Sequence, residues 1–227
     1  MRIELSDHQK DHIDIMKGIV GSVNDLPITP KGGTALLLGY GLDRFSEDLD
    51  FDANKKLNIK TRVEKILKNK TTDYSINLVK NTQTVQRYKI HYVKNERKGI
   101  LKIETSYRDI FTNDDVIEKG FEGVRIKIYK VEKLLDQKLL AAEHRSEARD
   151  LYDINFLIST YLSHFNQKAL RKIMNFVDNI NNLEDKYRYS FQEDYLFDED
   201  DLSAVLLNLD EQVDSVRSQI DNLKVCI

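Results

Sequence analysis

The chain has one cysteine, two prolines and nine glycines among 227 residues. A single cysteine, Cys226, excludes a disulfide framework within the chain and points to a reducing, cytoplasmic setting. So few prolines and glycines favour long helices over a turn-rich sandwich. No apolar run approaches the roughly 18 residues of a spanning helix, so no membrane partner is expected. The first residues, MRIELSDHQK, lack the basic-then-apolar order of a secretory signal. No glycine-proline linker, low-complexity tract or internal repeat is visible. What is present is core material, 41% hydrophobic, with 32% charged residues to solvate it. The length suits one large domain or two small ones. Net charge is −3, but its distribution is uneven. Basic residues crowd positions 55–70 and recur from Lys80 to Lys102, while acids crowd the segment from Glu193 to Asp201. A basic face can hold a polyanion, and a lysine-solvated helical surface accounts for it equally well.

Periodicity divides the chain into a mixed half, 1–129, and an all-helical half, 130–227. Residues 6–20 read as a helix capped by Ser6. Ile28–Lys31 reads as a short strand, and a helix begins at Thr34 directly after Gly32 and Gly33. Asp48–Ala53 alternates with a period of two and reads as a strand. Residues 59–69 read as a helix, and 73–80, 84–93, 100–108 and 124–129 as strands. The fold class is therefore α+β, a small mixed sheet with helices followed by a helical C-terminal half.

The stretch from Lys31 to Ala53, KGGTALLLGYGLDRFSEDLDFDA, concentrates the chemistry. In an extended Asp48–Asp52 segment the three aspartates share one face, and Leu49 and Phe51 share the other. Carboxylates about 6–7 Å apart along a strand repel, and a divalent cation is their natural partner. Hard oxygen donors suit Mg²⁺, which completes its shell with water and substrate phosphates. An isolated Asp-x-Asp more often marks an acidic strand face. Here, however, Gly32, Gly33 and Thr34 open a helix upstream, where close backbone approach and free N–H groups favour an anion. Arg44 and Ser46 lie in the connecting loop, within reach of a triphosphate. The GK[ST] ending of a Walker loop and the third glycine of a dinucleotide fingerprint are both missing. A later strand, Leu101–Thr105, alternates in the same way, and Glu104 becomes a third carboxylate if it pairs beside the first strand.

These residues resemble the nucleotidyltransferase fold of the DNA polymerase β superfamily, whose pattern is Gly-[Gly/Ser], a spacer, then Asp-hydrophobic-[Asp/Glu]-hydrophobic. Lys31 stands where that pattern has a hydrophobic residue, and the spacer is slightly long. Both departures suit the AbiEii/AbiGii-type toxin family (the MenT-like nucleotidyltransferases), whose KGGTAL…YG…R-x-SEDLDF signature is similar to Lys31–Phe51. A second segment, Val131–Leu157, resembles the downstream motif of that family at Lys138, Arg145, Arg149, Asp150 and Asp153. Helical spacing puts Lys138 and Arg145 on one face, seven residues apart. Read without the first motif, the same segment is a pair of amphipathic helices with surface ion pairs.

The resemblance implies an Mg²⁺- or Mn²⁺-dependent transfer of NMP from an NTP to an acceptor hydroxyl. Asp48 and Asp50, with Glu104, would hold metal. Gly32, Gly33, Thr34, Arg44, Ser46 and Arg145 would bind the nucleotide. Lys138 would contact the triphosphate, and Asp150 would orient it or act as a base. The expected partners are an RNA acceptor such as the tRNA end, and a cognate antitoxin in a toxin–antitoxin or phage-defence pair. Two other readings remain open, a kinase or small-molecule nucleotidyltransferase of the same fold and a non-catalytic nucleotide-binding module. His8 and His12 read as a helix-surface pair, Cys226 as inert, and Tyr88, Tyr92 and Tyr107 as core.

Overall fold

The computed structural model describes residues 4–178 and 180–225, so Cys226 lies outside the described residues. The chain forms two compact units, Met1–Lys130 and Val131–Ile227.

In the first unit, α1 (Asp7–Ser22) begins with a capping box, in which Ser6 accepts from the Gln9 N–H and Gln9 reaches back to the Ser6 N–H. Its buried residues Ile15, Met16, Ile19 and Val20 recur at helical spacing. A five-stranded mixed sheet has the order β1-β2-β5-β4-β3. Its strands are β1 (Ile28–Lys31), β2 (Leu49–Ala53), β3 (Asp73–Asn81), β4 (Val85–Lys94) and β5 (Arg97–Ser106). β2 and β5 pair in parallel, and the other neighbours are antiparallel. A parallel pair needs a long crossover, here supplied by α3 (Lys60–Lys70), β3 and β4. α2 (Gly32–Tyr40) joins β1 to the loop before β2 and ends on Gly41 in the left-handed conformation. The β4–β5 turn places Asn95 and Glu96 at positive φ, the geometry of a two-residue hairpin.

β6 (Val116–Phe121) and β7 (Val124–Tyr129) form a separate hairpin. The sequence reading finds β7 and leaves out β6, because Glu118, Lys119 and Gly120 interrupt its apolar alternation. Leu49 and Phe51 of β2, Ile90 of β4, and Leu101 and Ile103 of β5 are fully buried. Their strand neighbours Asp50, Lys102 and Glu104 are only partly covered. Alternation thus builds one apolar face and one charged face.

The second unit contains α4 (Val131–His144), α5 (Ala148–Tyr161), α6 (Gln167–Val177), α7 (Ile180–Glu193) and α8 (Glu199–Val225). Leu134, Leu135, Leu151, Ile154, Leu157, Leu170, Ile173, Phe191 and Leu209 make its core. One expectation is corrected here. Arg145 does not share a helix face with Lys138, because α4 stops at His144 and Glu147 is already extended ahead of α5. The Arg145 N–H still closes the last helical turn onto the Ala141 carbonyl at 3.0 Å.

Candidate active site

The parallel register puts Asp50 of β2 directly opposite Glu104 of β5. Asp48 lies two residues before Asp50, on the same face by alternation. Asp48 forms an ion pair with Lys102, and Glu104 accepts from Arg87 Nε at 2.6 Å. Three carboxylates therefore meet two cations, and among the described residues Asp50 has no ion pair. Burial, then the nearby Asp48 charge, push the Asp50 carboxyl above its ordinary range, and Glu104 adds to this. Asp52, also on this face, is fully buried and already held by Lys31 Nζ at 2.6 Å and the Tyr129 hydroxyl at 2.9 Å.

The glycine turn sits against this cluster. Gly32 has φ +67°, and a Cβ there would lie 3.4 Å from Asp50 Oδ2. A Cβ on Gly33 would lie 2.6 Å from an Arg44 guanidinium nitrogen and 3.0 Å from Ser46 Oγ. The Thr34 hydroxyl donates to the Asp48 carbonyl and lies 2.9 Å from Ser46 Oγ. Arg44 is buried and donates to its neighbour, the Phe45 carbonyl, at 3.0 Å. Thr34, Arg44 and Ser46 thus brace the loop between α2 and β2, and the half-buried turn beside them is glycine backbone. α2 starts without a side-chain cap, the arrangement that suits an anion at a helix N-terminus.

His12, read from sequence as a surface residue, is buried. Its Nε2 meets the Glu47 carbonyl at 2.7 Å and its Nδ1 the Tyr92 hydroxyl at 2.7 Å. A carbonyl only accepts, so Nε2 carries the proton and Nδ1 accepts from Tyr92. The loop leading into Asp48 is therefore anchored to α1. An isolated histidine four residues from another gives no sign of this in sequence.

In the helical unit, Lys138 Nζ lies 2.8 Å from Asp150 Oδ1 and 2.6 Å from Asp153 Oδ2. Arg145 Nε donates to Asp150 Oδ2 at 2.6 Å. Burial works to raise the Asp150 carboxyl, but Lys138 and Arg145 outweigh it and hold it below the ordinary range. Arg149 pairs with Asp194 at 2.9 Å. Both acids of this cluster and Lys138 are buried, while Arg145 is more than half exposed.

Among the described residues, no three carboxylate, histidine or cysteine groups converge as a ready metal cage. Asp48 and Glu104 point at Lys102 and Arg87 instead. The donor set nonetheless fits a hard divalent cation, because all three groups are carboxylates and Asp50 has no direct ion pair among the described residues.

No curated protein matches the chain significantly in sequence. Among solved structures, a candidate nucleotidyltransferase from H. pylori is 35% identical over 96% of this chain and 99% of its own, with a TM-score of 0.83. JHP933 from Helicobacter pylori is 34% identical over 98% of this chain and 97% of its own, with a TM-score of 0.86. The nucleotidyltransferase toxin MenT4 from Mycobacterium tuberculosis, at 14% identity, shares the fold over 93% of this chain and 86% of its own, with a TM-score of 0.52. The family model for the nucleotidyl transferase AbiEii toxin of Type IV toxin–antitoxin systems matches residues 15–215. With its glycine turn against paired carboxylates, the chain belongs to this AbiEii family of nucleotidyltransferase toxins, and an NTP substrate and an antitoxin partner follow from that membership.

Proposed function

We propose that the chain moves NMP from an NTP to a hydroxyl of an RNA acceptor such as the tRNA end, with Mg²⁺ or Mn²⁺. In this reading it works in the cytoplasm, as the toxin of a toxin–antitoxin or phage-defence pair. The observation that carries the reading is the closeness of Gly32 to Asp50, since a Cβ added there would lie 3.4 Å from Asp50 Oδ2 and the backbone turn therefore stands against a carboxylate that has no ion pair among the described residues. Gly32 and Gly33 offer backbone to the phosphates, and Thr34, Arg44 and Ser46 hold that backbone in place. Asp48, Asp50 and Glu104 hold the divalent ion. Bound there, it would neutralise charge on the phosphate oxygens and acidify an acceptor hydroxyl. Lys138 and Arg145 add positive charge for the triphosphate, and Asp150 orients both. In this account residues 1–129 hold the glycine turn and the carboxylates, and 130–227 hold Lys138, Arg145 and Asp150.

An RNA acceptor is supported by the open sheet face. Lys89 and Lys102 are direct cross-strand partners on the face that carries Glu104. Asp48 already holds the Lys102 ammonium, and the exposed Lys89 beside it is the cation this face offers to a polyanion. The test is incubation with α-labelled NTPs, Mg²⁺ and total RNA. Label entering RNA in the wild type and not in Asp50→Asn supports the reading. Label entering only a small molecule, or entering RNA equally in both proteins, overturns it.

A further inference from the structure

The helical unit holds a buried hydroxyl that the reaction above does not use. Tyr187 is fully buried on α7, and Leu183 and Phe191 lie four residues to either side of it on the same buried face. Its hydroxyl makes no hydrogen bond among the described residues. A buried donor in this state is uncommon and costly. Phenylalanine would fill the same space without that cost.

α7 is tied to the α4–α5 corner on both sides of Tyr187. Lys186, one residue earlier, donates to the Ala142 carbonyl in the last turn of α4. Asp194, seven residues later, accepts from Arg149 Nε at 2.9 Å, in the first turn of α5. Arg145 and Asp150 belong to the same corner. Burial pushes the Tyr187 phenol up, the Asp150 charge pushes it further, and Arg145 pulls it back, so both charges reach the hydroxyl.

Asp150 is held by two cations of different mobility. Its Oδ1 meets Lys138 Nζ at 2.8 Å, and its Oδ2 accepts from Arg145 Nε at 2.6 Å. Lys138 is buried, whereas the Arg145 side chain is 56% exposed and can turn outward. When Arg145 reaches a triphosphate, Oδ2 loses this donor. Asp150 is 1% exposed and shut off from water, so an unmet oxygen there is costly.

We infer that Tyr187 is a positioning residue whose hydroxyl donates to Asp150 when Arg145 leaves for the triphosphate. The exchange rests on the role proposed above for Arg145. One N–H donor is replaced by one O–H donor on the same carboxylate, and no proton is transferred. Asp150 stays ionised and fixed beside Lys138, and releasing Arg145 becomes less costly.

The experiment is calorimetric titration of the full chain, in Mg²⁺, with inorganic tripolyphosphate, which carries the charge of an NTP and no absorbing base. Tyr187→Phe should bind it roughly 10- to 100-fold more weakly, the worth of one hydrogen bond to a charged group. Its melting temperature without ligand should equal or exceed that of the wild type, which a bond already made in the free protein would not allow. In ultraviolet difference spectra, tripolyphosphate should red-shift a tyrosine band in the wild type and not in Tyr187→Phe, because a phenol that donates to a carboxylate absorbs at longer wavelength. Arg145→Met separates the two claims. Undiminished tripolyphosphate binding in Arg145→Met overturns the role of Arg145 and the exchange with it. Weakened binding in Arg145→Met with wild-type binding in Tyr187→Phe overturns the exchange alone. A lowered melting temperature in Tyr187→Phe also overturns it, since the hydroxyl would then be bonded before any ligand arrives.

Discussion

Asp50 and Glu104 stand opposite each other across a parallel strand pair, with Asp48 two residues away on the same face. The ion pairs of this cluster go to Asp48 and Glu104, and Lys102 and Lys31 only partly offset the charge on Asp50. Its carboxyl is raised, first by burial and then by Asp48. A carboxyl raised in the folded state is destabilising when ionised at neutral pH. Asp50→Asn should therefore keep or raise the melting temperature at pH 7, while nucleotide transfer falls at least about 10²-fold. Thermal unfolding and a labelled-NTP assay on the same preparation check this. A variant that loses activity because it unfolds would contradict the assigned role.

Lys138 sits between Asp150 and Asp153, both buried. Removing the ammonium leaves two buried carboxylates without the cation that lies between them. Breaking a buried pair in this way costs about 3–5 kcal/mol. Lys138→Met should therefore lower stability strongly, and adding Asp153→Asn should restore part of the loss. Urea unfolding of the single and double variants measures the coupling. Additive losses would show that Lys138 and Asp153 do not depend on each other.

Much of the first site is legible in sequence because strand alternation is a local property. Leu49 and Phe51 go inward, Asp50 stays partly open, and the same logic on Leu101–Thr105 brings Glu104 beside it. The counter-ions are not legible, because Lys102 and Arg87 reach the acids only through strand pairing across the sheet. Arg44 and Ser46 come against Gly33 through the fold of the loop, and nothing local in the sequence says so. Arg145 looks like a helix-face residue, because no proline or glycine marks the break after His144. His12 gains its partners from Glu47 and Tyr92, 35 and 80 residues away.

His12 makes stability pH-dependent. Burial is the largest influence on the ring and lowers its pKa, outweighing its bond to the Glu47 carbonyl. His8 nearby also lowers it, while Glu47 and Asp48 oppose the shift. The unfolded chain then takes up a proton near pH ~6.5 that the folded chain refuses until lower pH. Stability should fall as pH drops below about 6.5, and the fall should level off beneath the folded value. Protonation also removes the Nδ1 lone pair that accepts from Tyr92. Urea midpoints measured from pH 7.5 to 5.5 should show this slope in the wild type and a smaller one in His12→Asn. Equal slopes in the two proteins would assign the effect elsewhere.

Two glycines with the same backbone problem separate strain from function. Gly32 has φ +67° and Gly41 has φ +74°. Alanine at either site enters the left-handed region, which costs about 1–2 kcal/mol. Their surroundings differ. A Cβ on Gly41 meets nothing within 4 Å, whereas one on Gly32 comes to 3.4 Å from Asp50 Oδ2. That methyl would fill the space between the turn and the carboxylate, where the phosphates and the divalent ion must meet in the proposed reaction. Gly41→Ala should lose stability and keep its transfer rate at temperatures where it remains folded. Gly32→Ala should lose a similar amount of stability and, in addition, most of its activity. Melting temperatures matched against rates with saturating NTP decide between the two effects. If Gly32→Ala keeps a wild-type rate, the turn does not shape the nucleotide site, and the closeness of Gly32 to Asp50 is structural alone.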